Sequence, residues 1–223
     1  EVLIWTDSSL YSLQYVGAPA VWAATLVGEN ISISSQLSVS YANGVSYWMG
    51  KDKFYMYDGR TQTLPCDLRR YIFNDFNTKQ YAQVFSGTNE SFHEIWWFYC
   101  TEDSNNIDRY VIYNYLEKIW YYGTIARTAW LDSGLRDKPL AATYSNNLVN
   151  HETGIDDNVS GTAAAITAYI ESSDFDIGDG DRFSLINIRV RGRQLAMRFE
   201  SSATGVTWQL GTPRLDIRPD GRR

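Results

Sequence analysis

The sequence predicts an all-β protein, on three observations: a high aromatic content, recurring strand-turn-strand units and few stretches of helical periodicity. Tyr 16, Trp 8 and Phe 9 among 223 residues suit pleated, half-buried strands better than helices. A chain of this length buries a core without staples. The expected architecture is a partial or irregular β-propeller over 1–161, followed by a small antiparallel β-sheet or sandwich region over 162–223.

In chain order, VLIWTDSSLYSLQYVG reads as two strands turning at Asp7-Ser8-Ser9. From Gly44 to Cys66, VSYWMG, FYMYDG and TQTLPC read as three strands, with Asp58-Gly59 supplying the positive φ of a hairpin turn. Asp67 to Phe76 and Thr78 to Phe85 have short helical spacing and suit connections. EIWWFYC, the loop TEDSNNID and RYVIYNYLEKIWYYGTI form the next unit, and PLAATYSNNLVNHETG a weaker fourth. Taking Leu10, Phe54, Tyr110 and Leu148 as inner-strand residues gives spacings of 44, 56 and 38, near the ~40 to 50 residues of a propeller blade. A β-sandwich of meander hairpins uses the same local signals. The polar run Asn146 to Gly161 marks a boundary. Beyond it strands of period two recur, with Ile186, Ile188 and Val190 alternating with Asn187, Arg189 and Arg191.

The net charge of −6 is unevenly placed: residues 1–181 carry 11 Lys/Arg against 23 Asp/Glu, and residues 182–223 carry 9 Arg against 3 acids. An acidic body with a basic end suits head-to-tail assembly or contact with a polyanion. Cys66 and Cys100 show no zinc spacing and, with two histidines in the chain, no disulfide framework. The longest apolar run, Val16 to Val27, contains Pro19 and is too short to span a bilayer, so a soluble protein without membrane insertion is expected. The chain opens on a strand without a leader pattern or Met, which predicts further polypeptide upstream.

Three constellations bear on function. Asp174, Asp176, Asp179 and Asp181 form the densest group of oxygen donors, of the kind a hard cation such as Ca²⁺ binds. Gly178 stands where an EF-hand loop needs a ligand, and a solvated strand end explains the group equally. Arg189, Arg191 and Arg193, with Arg198 nearby, suit contact with phosphates or with an acidic neighbouring subunit, the latter favoured because the body is acidic. A solvated charge row protecting an edge is the plainer reading. Trp48, Trp96, Trp97, Trp120 and Trp130 suit either a sugar-binding surface or core, and the adjacent Trp96 and Trp97 must face opposite sides. Ser201 to Trp208 resembles an Asp-box hairpin with Ala203 in place of the Asp. Glu94, Glu171 and Glu200 have no marked partner, and elbow, zincin and P-loop patterns are absent. No enzymatic activity and no cofactor are expected.

The runs NGVSYWMGKDKFYMYDGRTQTLPCDLRRYIFNDFN, FHEIWWFYCTEDSNNIDRYVIYNYLEKIWYYGTIARTAWLDSG and RGRQLAMRFESSATGVTWQLGTPRLDIRPDGRR resemble the C-terminal portion of bacteriophage tail hub or nozzle proteins, the tail tubular or packaged-DNA-stabilising type of short-tailed phages. The resemblance implies a structural subunit of a virion tail, assembled in the host cytoplasm into a homo-oligomeric, hexameric ring around the channel for genome retention and ejection. Its implied neighbours are the tail adaptor, tail fibre or needle proteins and the viral DNA in the channel. A receptor- or carbohydrate-binding propeller at the tail tip is the alternative. One departure stands out: RFSLINIRVRG joins directly what the family pattern separates by further strands, at Leu185 to Ile188.

Overall fold

A computed structural model describes residues 1–172, 175–176, 183–185, 191–192, 194–207 and 218–220, with side chains over 1–172 and 196–207. The all-β class holds, and the chain forms two compact units, Glu1–Glu152 and Thr153–Arg223. The division falls inside the turn-rich run Asn146 to Gly161, between 152 and 153 where the sequence predicts 161 and 162.

The first unit is a series of antiparallel meanders. The first sheet holds β1 (Val2–Trp5), β2 (Ser9–Gly17) and β3 (Val21–Glu29); the second holds β4 (Val39–Ala42), β5 (Val45–Met49), β6 (Phe54–Tyr57) and β7 (Thr61–Leu64). A helix α1 (Arg69–Asn74) and a 3-10 turn over Thr78–Gln83 lead to the third sheet, as the short helical spacing predicts. That sheet holds β8 (Phe85–Asn89), β9 (Glu94–Tyr99), β10 (Arg109–Asn114) and β11 (Ile119–Thr124). The fourth holds β12 (Ala129–Leu131), β13 (Leu140–Ala142) and β14 (Leu148–Asn150).

Turn chemistry explains the hairpins. Asn43 and Gly44, at φ 49 and 81, make the two-residue turn between β4 and β5, the conformation that Asn-Gly favours because its twist matches the strands. Gly59 at φ 107 turns β6 into β7, with the Asp58 carboxylate accepting from the Arg60 amide at 3.4 Å.

Sheets stack face to face because alternate residues of their central strands are large and apolar. On β9, Ile95, Trp97 and Tyr99 join Met49, Phe54, Leu64 and Val111 in one core against the second sheet. Trp96 and Phe98 join Phe85 and Ile112 in another, against Trp130 of the fourth. The two tryptophans thus face opposite sides, as neighbours on a strand must. A third core places Leu10, Leu3 and Trp5 against Trp48, Tyr55 and Tyr57.

Equivalent strands lie opposite one another in this stack. Trp5 of β1 meets Trp48 of β5 edge to face at 5.6 Å, and the Thr61 hydroxyl of β7 donates to the Val27 carbonyl of β3 at 2.8 Å. Ser40 of β4 bonds Ser86 of β8 through their hydroxyls at 2.8 Å, and the Trp130 indole of β12 donates to the Thr88 carbonyl of β8 at 2.7 Å. The first strands of the last three sheets begin at Val39, Phe85 and Ala129, which are 46 and 44 apart.

The inner-strand expectation holds for Leu10, Phe54 and Tyr110 and is corrected at Leu148. Leu10 lies in the central strand of its sheet, Phe54 and Tyr110 lie in third strands, and Leu148 lies on an edge strand, 72% exposed. All four nevertheless lie on matching strands, β2, β6, β10 and β14, since β1 meets β5 and β3 meets β7. The structure establishes stacked antiparallel sheets; a complete propeller is a further reading.

In the second unit, β15 (Asp156–Asp157) pairs with β16 (Ala164–Ala165), and β17 (Ala168–Glu171) with β22 (Arg198–Ser201). β18 (Phe175–Asp176) pairs with β21 (Gln194–Leu195), and β19 (Phe183–Leu185) lies between β20 (Arg191–Gly192) and β23 (Arg218–Asp220). Among the described residues no helix is long and apolar enough to cross a membrane.

Gly87 of β8 lies directly under the Trp130 indole, where a Cβ would collide. Gly87→Ala is expected to destabilise the protein by about 1–3 kcal/mol through overpacking, whereas Gly134→Ala, with open space around it, stays within about 0.5 kcal/mol. Urea unfolding of both variants measures the difference.

Candidate functional site

A polar arrangement that joins distant segments of the first unit lies on the face of the third sheet that meets the fourth. Antiparallel pairing puts Asn89 opposite Glu94 across the β8–β9 hairpin. Glu94 and Trp96, two apart on β9, share a face, so the Trp96 indole N–H donates to the Glu94 carboxylate at 2.9 Å. The Asn89 amide reaches the same oxygen at 3.5 Å and the Glu152 carboxylate at 3.3 Å. Two carboxylates therefore share one amide donor. Asn89 is 1% exposed, and its carbonyl oxygen has no partner among the described residues.

Burial pushes the Glu94 carboxyl above its ordinary range, and the Glu152 charge adds to this against the bonds from Trp96 and Asn89. Burial first, then the two carboxylates, also raises the Tyr110 phenol on that face. Beside them Trp130 stacks on Trp96 at 4.9 Å and lies 4.6 Å from the His151 ring. The buried Arg127 guanidinium donates to His151 Nε2 at 2.9 Å, which requires that nitrogen to be unprotonated.

This arrangement ties chain segments together. The Asp132 carboxylate accepts from the Glu90 amide at 2.7 Å, and the Tyr144 hydroxyl accepts from the Ile107 amide at 2.8 Å. Both bonds satisfy backbone donors beside the third sheet from groups beside the fourth. The second carboxylate, Glu152, is 58 residues from Glu94 in sequence, so no local spacing could have revealed their meeting at Asn89. Glu171 and Glu200 also find a partner, in both cases Arg198, at 3.4 and 3.1 Å.

Arg198 is the one predicted contact residue whose side chain is described. It lies on β22 with its guanidinium 4.0 Å over the Tyr169 ring, so its charge is engaged within its own sheet. Arg191 stands on β20 opposite Leu185 and Asp176 on β18 opposite Gln194 in backbone register. The side chains of these two, and all of Arg189, Arg193, Asp174, Asp179 and Asp181, lie outside the described residues. Among the described residues no three His, Cys, Asp or Glu converge as metal ligands. Trp208 of the Asp-box resemblance also lies outside, but the Gly205 amide of that turn donates to the Asp156 carboxylate at 3.0 Å.

The five tryptophans read as either platform or core are core. Trp48 and Trp97 are fully buried and Trp96 nearly so, while Trp120 and Trp130 pack half-buried against those cores. Both cysteines are free, and burial pushes Cys66 up to about 12 and Cys100 up to about 11; neither thiol is ionised at neutral pH. A depression beside Cys66 is lined by Asp52, Asp67, Arg69, Arg70, Phe73 and Asn74, and Arg69 there bridges Asp52 at 3.0 Å.

A raised carboxyl gives a definite sign. The folded state binds the Glu94 proton more tightly than the unfolded chain does, so this contribution to stability is full below the ordinary carboxylate pKa and is lost as pH rises through the raised one. Glu94→Gln removes that loss and can still accept the Trp96 bond. Its stability relative to the parent is expected to climb from acid to neutral pH in urea titrations, and parallel curves would contradict the assignment.

No protein-family model matches the chain, and no curated protein matches it.

Proposed function

We propose that this chain is a non-catalytic structural subunit of a bacteriophage tail, a hub or nozzle component that forms part of a ring around the genome channel. The observation that carries the reading is where the resembling sequence is used. The runs around VSYWMG, FYMYDG, EIWWFYC and RYVIYNY supply the strands of the second and third sheets and nearly all of the aromatic core between them. The resemblance is thus carried by architecture, as expected of a protein whose work is to hold a shape.

In this reading the four meanders are consecutive blades of an irregular propeller, with β4, β8 and β12 as axial strands. The alternation of sheets at near-constant spacing supports blades over a two-layer sandwich, in which only two sheets would face each other. Trp48, Trp96 and Trp97 are buried and Trp120 and Trp130 half-buried against the cores, so these five form no exposed platform for the carbohydrate-binding alternative. The acids likewise support architecture: Glu94 and Glu152 are occupied by Asn89 and Trp96, and Glu171 and Glu200 by Arg198.

Electron microscopy of the expressed protein, with antibody labelling of virions that carry it, tests the proposal. The expected result is a ring, hexameric by resemblance, with label on the tail axis. Label confined to fibres or absent from the particle would overturn it.

A further inference from the structure

Two carboxylates of the first unit meet at one buried amide. Asn89 ends β8 and Glu94 opens β9, so the hairpin fixes both, while Glu152 arrives from the turn beyond β14. Burial apart, the groups that act on the Glu94 carboxyl are Trp96, Glu152 and Asn89, and none of them is a cation. The Asn89 amino group spans Glu94 Oε2 and Glu152 Oε1 at 3.5 and 3.3 Å, longer than the ~2.7–2.9 Å of a charge-assisted bond. The carbonyl oxygen of the same amide is buried and has no partner among the described residues. A buried acceptor of this kind needs a reason to persist.

From the geometry we infer that Asn89, Glu94 and Glu152 form a Ca²⁺ site. Turning the amide about its Cβ–Cγ bond exchanges its amino and carbonyl ends within the same volume. The orphaned oxygen then takes the place of the nitrogen, which stands 3.5 and 3.3 Å from the two carboxylate oxygens. Oxygens at right angles around Ca²⁺, with bonds of about 2.3–2.6 Å, lie about 3.3–3.7 Å apart, whereas Mg²⁺ bonds of about 2.0–2.1 Å draw them to about 2.8–3.0 Å. The spacing suits the larger ion. Glu94 Oε2 keeps the Trp96 bond on one lone pair and offers the other. In either setting of the amide one end lacks a partner, so that cost is common to both. What changes is that a divalent ion replaces a weak donor between two carboxylates.

Glu152 is exposed and Glu94 half-buried, which gives the ion an entrance and waters for its remaining coordination positions. Three protein ligands with two charges correspond to the weak end of Ca²⁺ sites, with Kd of about 10⁻⁴–10⁻³ M. Bound there, the ion ties the third sheet to the segment that leaves the fourth. The inference does not rest on the tail reading. Its competitor is a purely structural amide bridge, in which Asn89 acts only as a donor. The two part at Asn89→Asp: a third carboxylate breaks a donor bridge but strengthens a Ca²⁺ site.

Calorimetric titration of the full chain with CaCl₂, beside Tb³⁺ luminescence sensitised through Trp96, tests the site. The parent is expected to bind Ca²⁺ about tenfold or more tightly than Mg²⁺, and to melt at a higher temperature when Ca²⁺ is present. Glu152→Gln, at an exposed position, is expected to weaken binding by about tenfold, and Asn89→Asp to tighten it by about tenfold while lowering the melting temperature in EDTA. Asp176→Asn with Asp179→Asn thins the other acidic group of the chain and is expected to leave this binding unchanged. Near-UV circular dichroism checks folding. Should Asn89→Asp unfold in EDTA, its rescue by Ca²⁺ and not by Mg²⁺ supports the site, and failure of rescue overturns it. No heat or luminescence at millimolar ion, an equal response to Mg²⁺, binding undiminished in Glu152→Gln, or binding lost in the Asp176 and Asp179 variant would each overturn the inference.

Discussion

The indoles of Trp96 and Trp97 leave β9 on opposite sides, and both are buried. Neighbouring residues on a strand have no other choice, and an indole left in water forfeits a large apolar area. The third sheet therefore needs a sheet on each face. Trp97 reaches Phe54 at 4.9 Å on one side and Trp96 reaches Trp130 at 4.9 Å on the other. The same demand passes outward to the second sheet, whose Trp48 and Tyr55 stack at 5.3 Å and draw in Trp5 of the first. A serial stack is the outcome of sheets whose central strands are apolar on both faces.

That constraint also explains what the sequence revealed and what it hid. Strands of the EIWWFYC and FYMYDG kind were legible because they lie mid-sheet and carry large aromatics on both faces. The first strands of successive sheets approach one another closely and need small residues: Ser40 bonds Ser86, and Gly87 leaves room for Trp130. FSGTN and SVSYA consequently look like loop. β4 had a usable signal in Asn43-Gly44, a hairpin turn in its own right. β8 and β12 had none of that strength, although the residues chosen for the repeat still fall on matching strands, β2, β6, β10 and β14.

The polar arrangement on the third sheet was illegible for a different reason. Asn89 and Glu94 are neighbours only through strand pairing, and Glu152 joins them from beyond β14. Spacing carries no information about such a meeting. The facing of Trp96 and Trp97, by contrast, follows from adjacency alone. Arg198 falls between: its strand was legible, but its acids were not, since Glu171 comes from β17.

The means of attachment changes along the stack. Between the second and third sheets it is aromatic, with Phe54 touching both Trp97 and Trp120. The strands of the fourth sheet are three residues long and bring one tryptophan, too little apolar area for that mechanism alone. Directional bonds supplement it: Asp132 to the Glu90 amide, Tyr144 to the Ile107 amide, Glu152 to Asn89. Each of the first two satisfies a main-chain donor, where a missing partner would cost about 1–3 kcal/mol if buried. Hydrogen bonds of this kind depend on placement more than area does, so they fix the orientation of a short sheet that hydrophobic contact alone would leave free to slide. The half-buried Glu94, set near the like charge of the exposed Glu152, is then the cost of holding the last sheet in register.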